Sequence, residues 1–209
     1  GVIYSKAMLY SKIKKIGILI QLSSVSTNLG RSFSKSLKFI QSKIQKYHSL
    51  VLFLNPSQMI CGVVSTHNEG NARCLALILM QGKRKYFDRV QLIDLKGLFK
   101  LDNGYKTDRN LLGQVNAHIL DEGFEVLQPH SELSVHELNP YIDSMRQGGT
   151  AVIVLFGNLE REQNELMILS KTFDSLFFGV QVKRTTKNHF KVIEEILSKC
   201  GKPGTVVSC

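Results

Sequence analysis

The first 68 residues of the chain contain no aspartate or glutamate, and the first acidic residue is Glu69. The same segment contains nine lysines and arginines and carries a net charge of +9, whereas the remainder has eighteen basic and seventeen acidic residues. Clustered positive charges repel one another and gain free energy by displacing counterions from phosphates. The absence of acids therefore predicts a polyanionic partner for the N-terminal segment.

Cysteine pairs and long apolar runs are also missing. The four cysteines form no CxxC pair, which argues against a zinc ribbon and a secreted disulfide framework. The apolar stretch at residues 16–22 is interrupted by Gln21 and is far shorter than the roughly 20 residues that span a bilayer. We therefore expect a protein of a reducing compartment without a transmembrane segment.

Motifs that would indicate catalysis are absent as well. A phosphate-binding loop needs GxxxxGK[ST] or GxGxxG, because glycines let backbone amides approach a phosphate, and neither pattern occurs. His136 lacks the second histidine of HExxH, and no serine lies in GxSxG. The segment HNEGNARC at 67–74 resembles a loop of knotted methyltransferases, but without their later glycine-rich loops we interpret it as a surface turn. The sequence thus predicts no catalytic residue, metal or cofactor.

Helical and strand patterns alternate along the chain. Helices are predicted at 35–46, 73–87, 108–121, 132–146, 160–176 and 188–200, with Pro140 expected to start a new segment or kink its helix. Strands are predicted at 49–54, 59–64, 90–95, 124–129, 150–156 and 178–184, with a loop at 96–107. This order predicts an α/β fold with a mixed sheet layered with helices, preceded by a basic N-terminal extension.

Three parts follow from this pattern. Residues 1–48 form the acid-free extension with an amphipathic helix at 35–46, residues 49–200 form the α/β globular domain, and residues 201–209 form a C-terminal tail. The serine-rich, basic and acid-free leader is typical of an organelle-targeting segment, so we expect a mitochondrial matrix protein.

Basic clusters are the best indication of a binding site. Lysine and arginine contact phosphates, while a neighbouring aromatic ring such as Tyr86 can stack on a base. Lysines at a helix C-terminus are also favoured by the helix dipole, so an ordinary surface is the competing interpretation. The predicted RNA-binding residues are Lys12, Lys14, Lys15, Arg31, Lys35, Lys38, Lys43, Lys46, Lys83, Arg84 and Lys85.

Residues 73 to about 182 resemble the stalk-base protein of the large ribosomal subunit, the L-ten family, in a divergent mitochondrial form. The segments that carry the resemblance are RCLALILMQGKRKYFDRVQLIDLKGL at 73–98, LLGQVNAHILDEGFEVL at 111–127 and GGTAVIVLF at 148–156. The family's Lys-Asn pair is replaced by His130-Ser131, and no long helix follows Cys200 to carry the acidic stalk dimers. The resemblance implies a ribosomal protein of the large subunit.

We therefore expect a non-enzymatic structural component of the mitochondrial ribosome that binds rRNA and neighbouring proteins, with no small-molecule substrate. One alternative is an accessory subunit of a respiratory or ATP-synthase complex, whose leader would lie against anionic lipid or an acidic protein face. A third possibility is an RNA-modifying enzyme.

Overall fold

The fold is α/β, with a mixed sheet between two layers of helices, which confirms the predicted fold class. The computed structural model describes residues 18–21, 31–43, 57–102, 104–109, 112–121, 123–130, 135–181, 184–201 and 204–208. None of the helices in these ranges combines the length and the apolar character that crossing a bilayer requires.

Nine strands of the described residues form one sheet in the order β1-β9-β8-β2-β7-β3-β6-β5-β4. The strands are β1 (Ile18–Gln21), β2 (Ile60–Ser65), β3 (Val90–Asp94), β4 (Tyr105–Arg109), β5 (Gly113–Asp121), β6 (Phe124–Pro129), β7 (Ala151–Asn158), β8 (Ser175–Val180) and β9 (Gly204–Ser208). In this spatial order, each neighbouring pair of strands from β1 across the sheet to β6 is parallel. The last two strands, β5 and β4, are antiparallel and lie at one edge. The carboxyl ends of seven strands therefore lie along one edge of the sheet.

Helices cover both faces of the sheet. Apolar residues of α1 (Phe33–Lys43) and α2 (Glu69–Lys83) pack on one face, and those of α3 (Val135–Gln147), α4 (Leu159–Leu169) and α5 (Lys187–Cys200) pack on the other. A short 3-10 helix, Ser170–Thr172, follows α4. The central strands are buried on both sides, which explains why TAVIVLF reads as a continuous apolar run.

Alternation within β2 supplies both cores. Cys61 and Val63 belong to the cluster under α1 and α2, whereas Ile60 and Val64 belong to the cluster under the other three helices. Burying one such side chain contributes about 1.5–3 kcal/mol relative to leaving it exposed. Because each strand residue points to the face opposite its neighbour, a shift of one residue would exchange the two cores.

The helix predicted at 108–121 is wrong, because this segment forms the hairpin of β4 and β5. The apolar residues at Val115 and Ala117 are two apart and both buried, which fits a strand with period 2. Gly113 has a φ of 63°, a left-handed conformation that glycine adopts without strain. The turn before β5 therefore separates two strands. The spacing of leucine, valine and isoleucine in this segment had indicated a single helix.

Segments at both ends of the chain contribute to the sheet. β1 lies within the predicted extension and pairs with β9, which lies within the predicted tail. The amphipathic helix predicted at 35–46 corresponds to α1, in which Leu37 and Ile40 are buried together with Phe33 and Ser36. Pro140 lies inside α3 and does not begin a new helix. The strand predicted at 49–54 lies outside the described residues.

Candidate functional site

The connections of the central strands reverse direction between β2 and β7. β2 continues through α2 to β3 on one side of the sheet, whereas β7 continues through α4 to β8 on the other side, and the two helices cover opposite faces. In open α/β sheets, ligands bind outside the carboxyl ends of strands at such a switch point. The candidate site is therefore formed by the β2–α2 loop, residues 66–68, and the end of β7.

Three helices begin at this edge, and their first turns are capped by side chains. Asn68 caps α2, because its Oδ1 accepts the N–H of Gly70 at 2.8 Å. Asn158 caps α4 in the same way, because its Oδ1 accepts the N–H of Glu160 at 2.8 Å. α5 begins after Thr186, close to the end of β8. The partial positive charge of three helix N-termini therefore lies around the end of β2, which favours anions.

The amides of the β2–α2 loop are bonded to oxygens of the protein itself. Ser65 Oγ accepts the N–H groups of His67 at 3.4 Å and Asn68 at 3.2 Å. The N–H of Thr66 donates to the carbonyl of Gly179 in β8 at 2.9 Å. A phosphate that approached these amides would have to replace the Ser65 hydroxyl.

Further bonds tie the loop to the neighbouring connections. The hydroxyls of Thr66 and Thr185 share a buried hydrogen bond of 3.0 Å. His67 Nε2 donates to the carbonyl of Arg184, and the carbonyl of His67 accepts from Asn158 Nδ2 at 3.3 Å. The loop is thus held by residues that follow β8 and by the last residue of β7.

His189, in the first turn of α5, has a defined tautomer. Its Nδ1 accepts the backbone N–H of Thr186 at 3.0 Å, so Nδ1 carries no proton. Its Nε2 lies 2.8 Å from Glu160 Oε1 and donates to it. The His67 and His189 rings are in edge contact with centroids 4.6 Å apart. The neutral ring therefore completes the cap of α5 and links it to the first turn of α4.

Two carboxylates lie beside Gly157 at the end of β7. Glu162 Oε2 accepts the Gly157 N–H at 2.6 Å, and burial raises the pKa of Glu162 while this bond and Lys96 oppose the rise. A methyl group on Gly157 would lie 3.2 Å from Glu162 Oε1 and 3.7 Å from Glu69 Oε1. Only glycine leaves both carboxylates undisturbed here.

Asp94, the last residue of β3, is fully buried and holds the loop that follows. Its carboxylate accepts the N–H groups of Leu98 at 2.9 Å and Phe99 at 2.8 Å and the Gln128 side-chain amide at 2.7 Å. Burial raises the pKa of Asp94, and these hydrogen bonds oppose the rise. The carboxylate therefore acts as an anchor for the segment after β3.

The side chain of Asn71, in the first turn of α2, has no hydrogen-bond partner among the described residues. Its side chain is 1% exposed, and both Nδ2 and Oδ1 are buried. A methyl group on Gly179 would lie 3.6 Å from Asn71 Cβ and 3.7 Å from Ser65 Oγ, so Asn71 lies between the ends of β2 and β8. A buried amide without a partner costs about 1–3 kcal/mol.

The β2–α2 loop lies where a phosphate-binding loop lies, between a buried strand and a helix. Matching Gly70 to the second glycine of GxxxxGK[ST] puts Ser65, Asn71 and Ala72 at the positions of the first glycine, the lysine and the serine or threonine. Interpreting HNEGNARC as a surface turn is wrong, because Gly70 to Cys74 are buried in α2. An asparagine between an apolar run and the first residue of a helix is the sequence signal that both caps share.

The residues predicted to bind RNA are not gathered at this edge. Lys83 is fully buried in α2 and donates to the carbonyl of Gln58, so it does not offer its charge to a surface partner. Arg84 is half-buried and donates to the carbonyl of Asp88. Arg31, Lys35, Lys38 and Lys85 are exposed, Lys43 is the last residue of α1, and Lys12, Lys14, Lys15 and Lys46 lie outside the described residues.

No family model and no curated protein matches the chain. Solved structures do match it over nearly its whole length. The BceF tyrosine kinase domain has a TM-score of 0.61 and 13% identity, over 100% of this chain and 99% of that one. The chimerical protein CapA2B2 has a TM-score of 0.65 and 15% identity, over 98% of both chains. The kinase domain of the Escherichia coli tyrosine kinase ETK has a TM-score of 0.55 and 12% identity, over 94% of this chain and 92% of that one.

These matches overturn the ribosomal interpretation. The resemblance to the stalk-base family is wrong, because it depended on short apolar patterns that many α/β proteins share and on a helix where β5 lies. The expectations of a non-enzymatic ribosomal component, an rRNA partner and no small-molecule substrate are contradicted with it, because two of the matching structures are tyrosine kinase domains and none of the three is a ribosomal protein. Neither the energy-complex subunit nor the RNA-modifying enzyme gains support, and the mitochondrial location stays a prediction.

Proposed function

We propose that the chain is a kinase-like nucleotide-binding domain whose β2–α2 loop receives the phosphate groups of a nucleoside triphosphate. The proposal is supported by the tyrosine-kinase fold that the chain shares and by the position of the loop at the switch point of the sheet. Helix N-termini on α2, α4 and α5 provide the partial positive charge that phosphate oxygens require.

The observation that carries the proposal is the side chain of Asn71. Both of its polar atoms are buried without a partner among the described residues, in the turn where a phosphate-binding loop has its lysine. A phosphate oxygen that entered the loop would give Asn71 Nδ2 an acceptor. The free-energy cost of burying the Asn71 amide without a partner would then be removed in the complex, which makes binding more favourable.

A neutral amide donates hydrogen bonds but adds no charge, so the cation for the phosphates must come from elsewhere. Lys96 follows β3 at the same edge, its Nζ lies 3.3 Å from Glu165 Oε2, and its charge lowers the pKa of Glu162. Because Glu162 accepts the Gly157 N–H at the end of β7, the positive charge of Lys96 acts on a carboxylate that lies at the candidate site. We assign Lys96 the role of attracting the phosphate chain to this edge.

Calorimetric titration of the full chain with ATP, ADP and adenosine tests the proposal. We expect both nucleotides to bind and adenosine to bind at least about tenfold more weakly, because it lacks the phosphates that the loop recognises. Lys96→Ala should weaken ATP binding, whereas Lys171→Ala, an exposed lysine in the 3-10 helix at the opposite edge, should not. Equal binding of adenosine and ATP, or no binding of either nucleotide, would contradict the proposal.

The same protein incubated with γ-labelled ATP and a tyrosine-containing peptide reports on phosphoryl transfer. This measurement is separate from binding, because a P-loop enzyme obtains its rate from cations placed on the transferred group. Label on the peptide that is lost in Lys96→Ala at an ATP concentration that saturates the variant, but retained in Lys171→Ala, would assign Lys96 to the transfer step.

A further inference from the structure

Position 72 in the first turn of α2 lacks the hydroxyl that holds a metal ion in phosphate-binding loops. In such loops the residue after the lysine is serine or threonine, and its oxygen binds Mg²⁺ together with a carboxylate from a neighbouring strand. Here the residue is Ala72, whose methyl group is fully buried in the apolar cluster under α2. Its side chain has no atom that can bind a cation.

Two carboxylates near this edge, Asp94 of β3 and Glu162 of α4, already accept hydrogen bonds from the protein. Asp94, at the end of β3, is fully buried and accepts three hydrogen bonds, from Leu98, Phe99 and Gln128. Glu162 accepts the N–H of Gly157 at 2.6 Å. A metal ion at Asp94 would compete with three donors that would otherwise be buried without an acceptor.

With no hydroxyl at position 72 and with Asp94 committed to three donors, the loop lacks the side-chain oxygens that bind Mg²⁺ in phosphate-binding loops, where the ion requires near-octahedral oxygen coordination. Within the described ranges, no group of three or more histidine, cysteine, aspartate or glutamate side chains is arranged to hold a metal ion. The donors around the loop are N–H groups: those of His67, Asn68 and Gly70, which a phosphate would take over from Ser65 Oγ and Asn68 Oδ1, and the side-chain amide of Asn71. N–H groups bind phosphate oxygens directly.

We infer that this site binds the phosphate chain of a nucleotide without Mg²⁺. The inference rests on the proposed function and concerns the form of nucleotide that the same loop takes. The ammonium of Lys96 and the backbone dipoles supply the positive charge that the metal ion supplies elsewhere, and the Asn71 amide adds a hydrogen-bond donor. A metal-free nucleotide leaves all its phosphate oxygens open to these donors.

The test is a titration of the full chain with ATP, once with excess MgCl2 and once with EDTA. We expect dissociation constants that differ by less than about threefold, because no side chain at the loop contacts the metal. A dissociation constant more than about threefold lower with MgCl2 would overturn the inference and leave the proposed function intact. If ATP binds under neither condition, the proposed function fails, and the inference fails with it.

Two serine variants of α2 provide a matched pair. Ala72→Ser puts a hydroxyl at the metal-binding position, and Ala76→Ser puts one on the same buried side of the helix one turn later. We expect ATP binding to Ala72→Ser to become tighter with MgCl2 by about tenfold, while Ala76→Ser stays insensitive. Circular dichroism checks that both variants fold. If Ala72→Ser does not fold, the titrations of the wild-type chain with MgCl2 and with EDTA still test whether Mg²⁺ contributes to ATP binding.

Discussion

Ser65 and Asn158 are directly opposite each other where β2 and β7 end. Each uses its side-chain oxygen to accept N–H groups of the helix or loop that follows its own strand. The two residues thus hold the connections on either side of the switch point, and their oxygens occupy donors that a phosphate would otherwise meet. Binding an anion at this edge competes with these intramolecular hydrogen bonds.

Ser65→Gly should raise the affinity for ATP. The change removes Oγ, frees the amides of His67 and Asn68, and restores the first glycine of the phosphate-loop pattern. We expect a gain of about threefold or more in affinity and a loss of about 0.5–1 kcal/mol in the free energy of unfolding. Calorimetric titration and urea unfolding measure the two quantities.

Ser198→Gly is the control for this change, because Ser198 lies on the exposed side of α5, where its hydroxyl donates to the Glu195 carbonyl. Glycine in a helix should lower stability by about 1 kcal/mol and leave ATP affinity unchanged. Weaker ATP binding by Ser65→Gly would mean that the hydroxyl shapes the loop for the ligand and does not compete with it.

Asn71→Leu should stabilise the folded protein and weaken nucleotide binding. Leucine has a similar shape and carries no polar atom, so it removes a buried amide that lacks partners among the described residues. We expect the free energy of unfolding to rise by about 1 kcal/mol and ATP affinity to fall. Thermal unfolding followed by circular dichroism, with titration of the same samples, tests both effects.

The matched change is Asn158→Leu, because Asn158 uses both polar atoms, one as the cap of α4 and one toward His67. It should lower the free energy of unfolding by about 1 kcal/mol. Opposite signs for the two asparagines would support a ligand role for Asn71. Destabilisation by both changes would indicate that Asn71 has a structural role of its own.

Much of the fold was predictable because its central strands are apolar on both faces. TAVIVLF and VQLIDL match β7 and β3 within two residues, because continuous apolar runs of this length are typical of strands buried on both faces. β5 was missed because NAHIL follows Gly113 with apolar residues whose spacing satisfies both helical and strand periods. Tertiary pairing with β6 decided between them, and a single sequence does not contain that information.

The candidate site escaped sequence analysis for a different reason. The motif that defines a phosphate loop requires glycine, lysine and a hydroxyl residue, and Ser65, Asn71 and Ala72 replace all three. The remaining signal is a buried strand followed by a capped helix. This order of elements indicates a binding site only when the strand order, and with it the switch point, is known. The position of the site is determined by topology, whereas its chemistry is determined by these substitutions.

The stability contributed by Asp94 should decrease as the pH rises from about 4. Burial raises its pKa in the folded state above the unfolded value, so this group favours folding fully below the unfolded pKa and loses that contribution as the pH passes the folded pKa. Asp94→Asn cannot titrate. Urea unfolding at several pH values should therefore show wild-type stability falling relative to the variant as the pH rises.

The variant also loses an acceptor, because an asparagine NH2 group would face one of the N–H donors that Asp94 now satisfies. We expect a cost of about 1–3 kcal/mol from this conflict. A wild-type protein that loses stability relative to Asp94→Asn on acidification would contradict the assigned direction.

His189→Asn should retain more stability than His189→Ala. In the native protein His189 Nδ1 accepts the N–H of Thr186, and an asparagine oxygen can accept the same bond at the start of α5. We expect alanine to cost about 1 kcal/mol and asparagine about half of that. Equal losses in urea unfolding would show that the ring contact with His67, and not the cap, carries the effect of His189.

The pKa of Glu162 should rise further when Lys96 is removed. Burial already raises this pKa, while the Gly157 N–H and the positive charge of Lys96 lower it. Lys96→Ala removes one of the two opposing effects, and carbon-detected NMR of the glutamate side chains follows the titration directly. Lys171→Ala, at the other edge of the sheet, should leave the curve unchanged. An unchanged pKa in Lys96→Ala would separate Lys96 from the end of β7 and remove it as the cation of the proposed phosphate site.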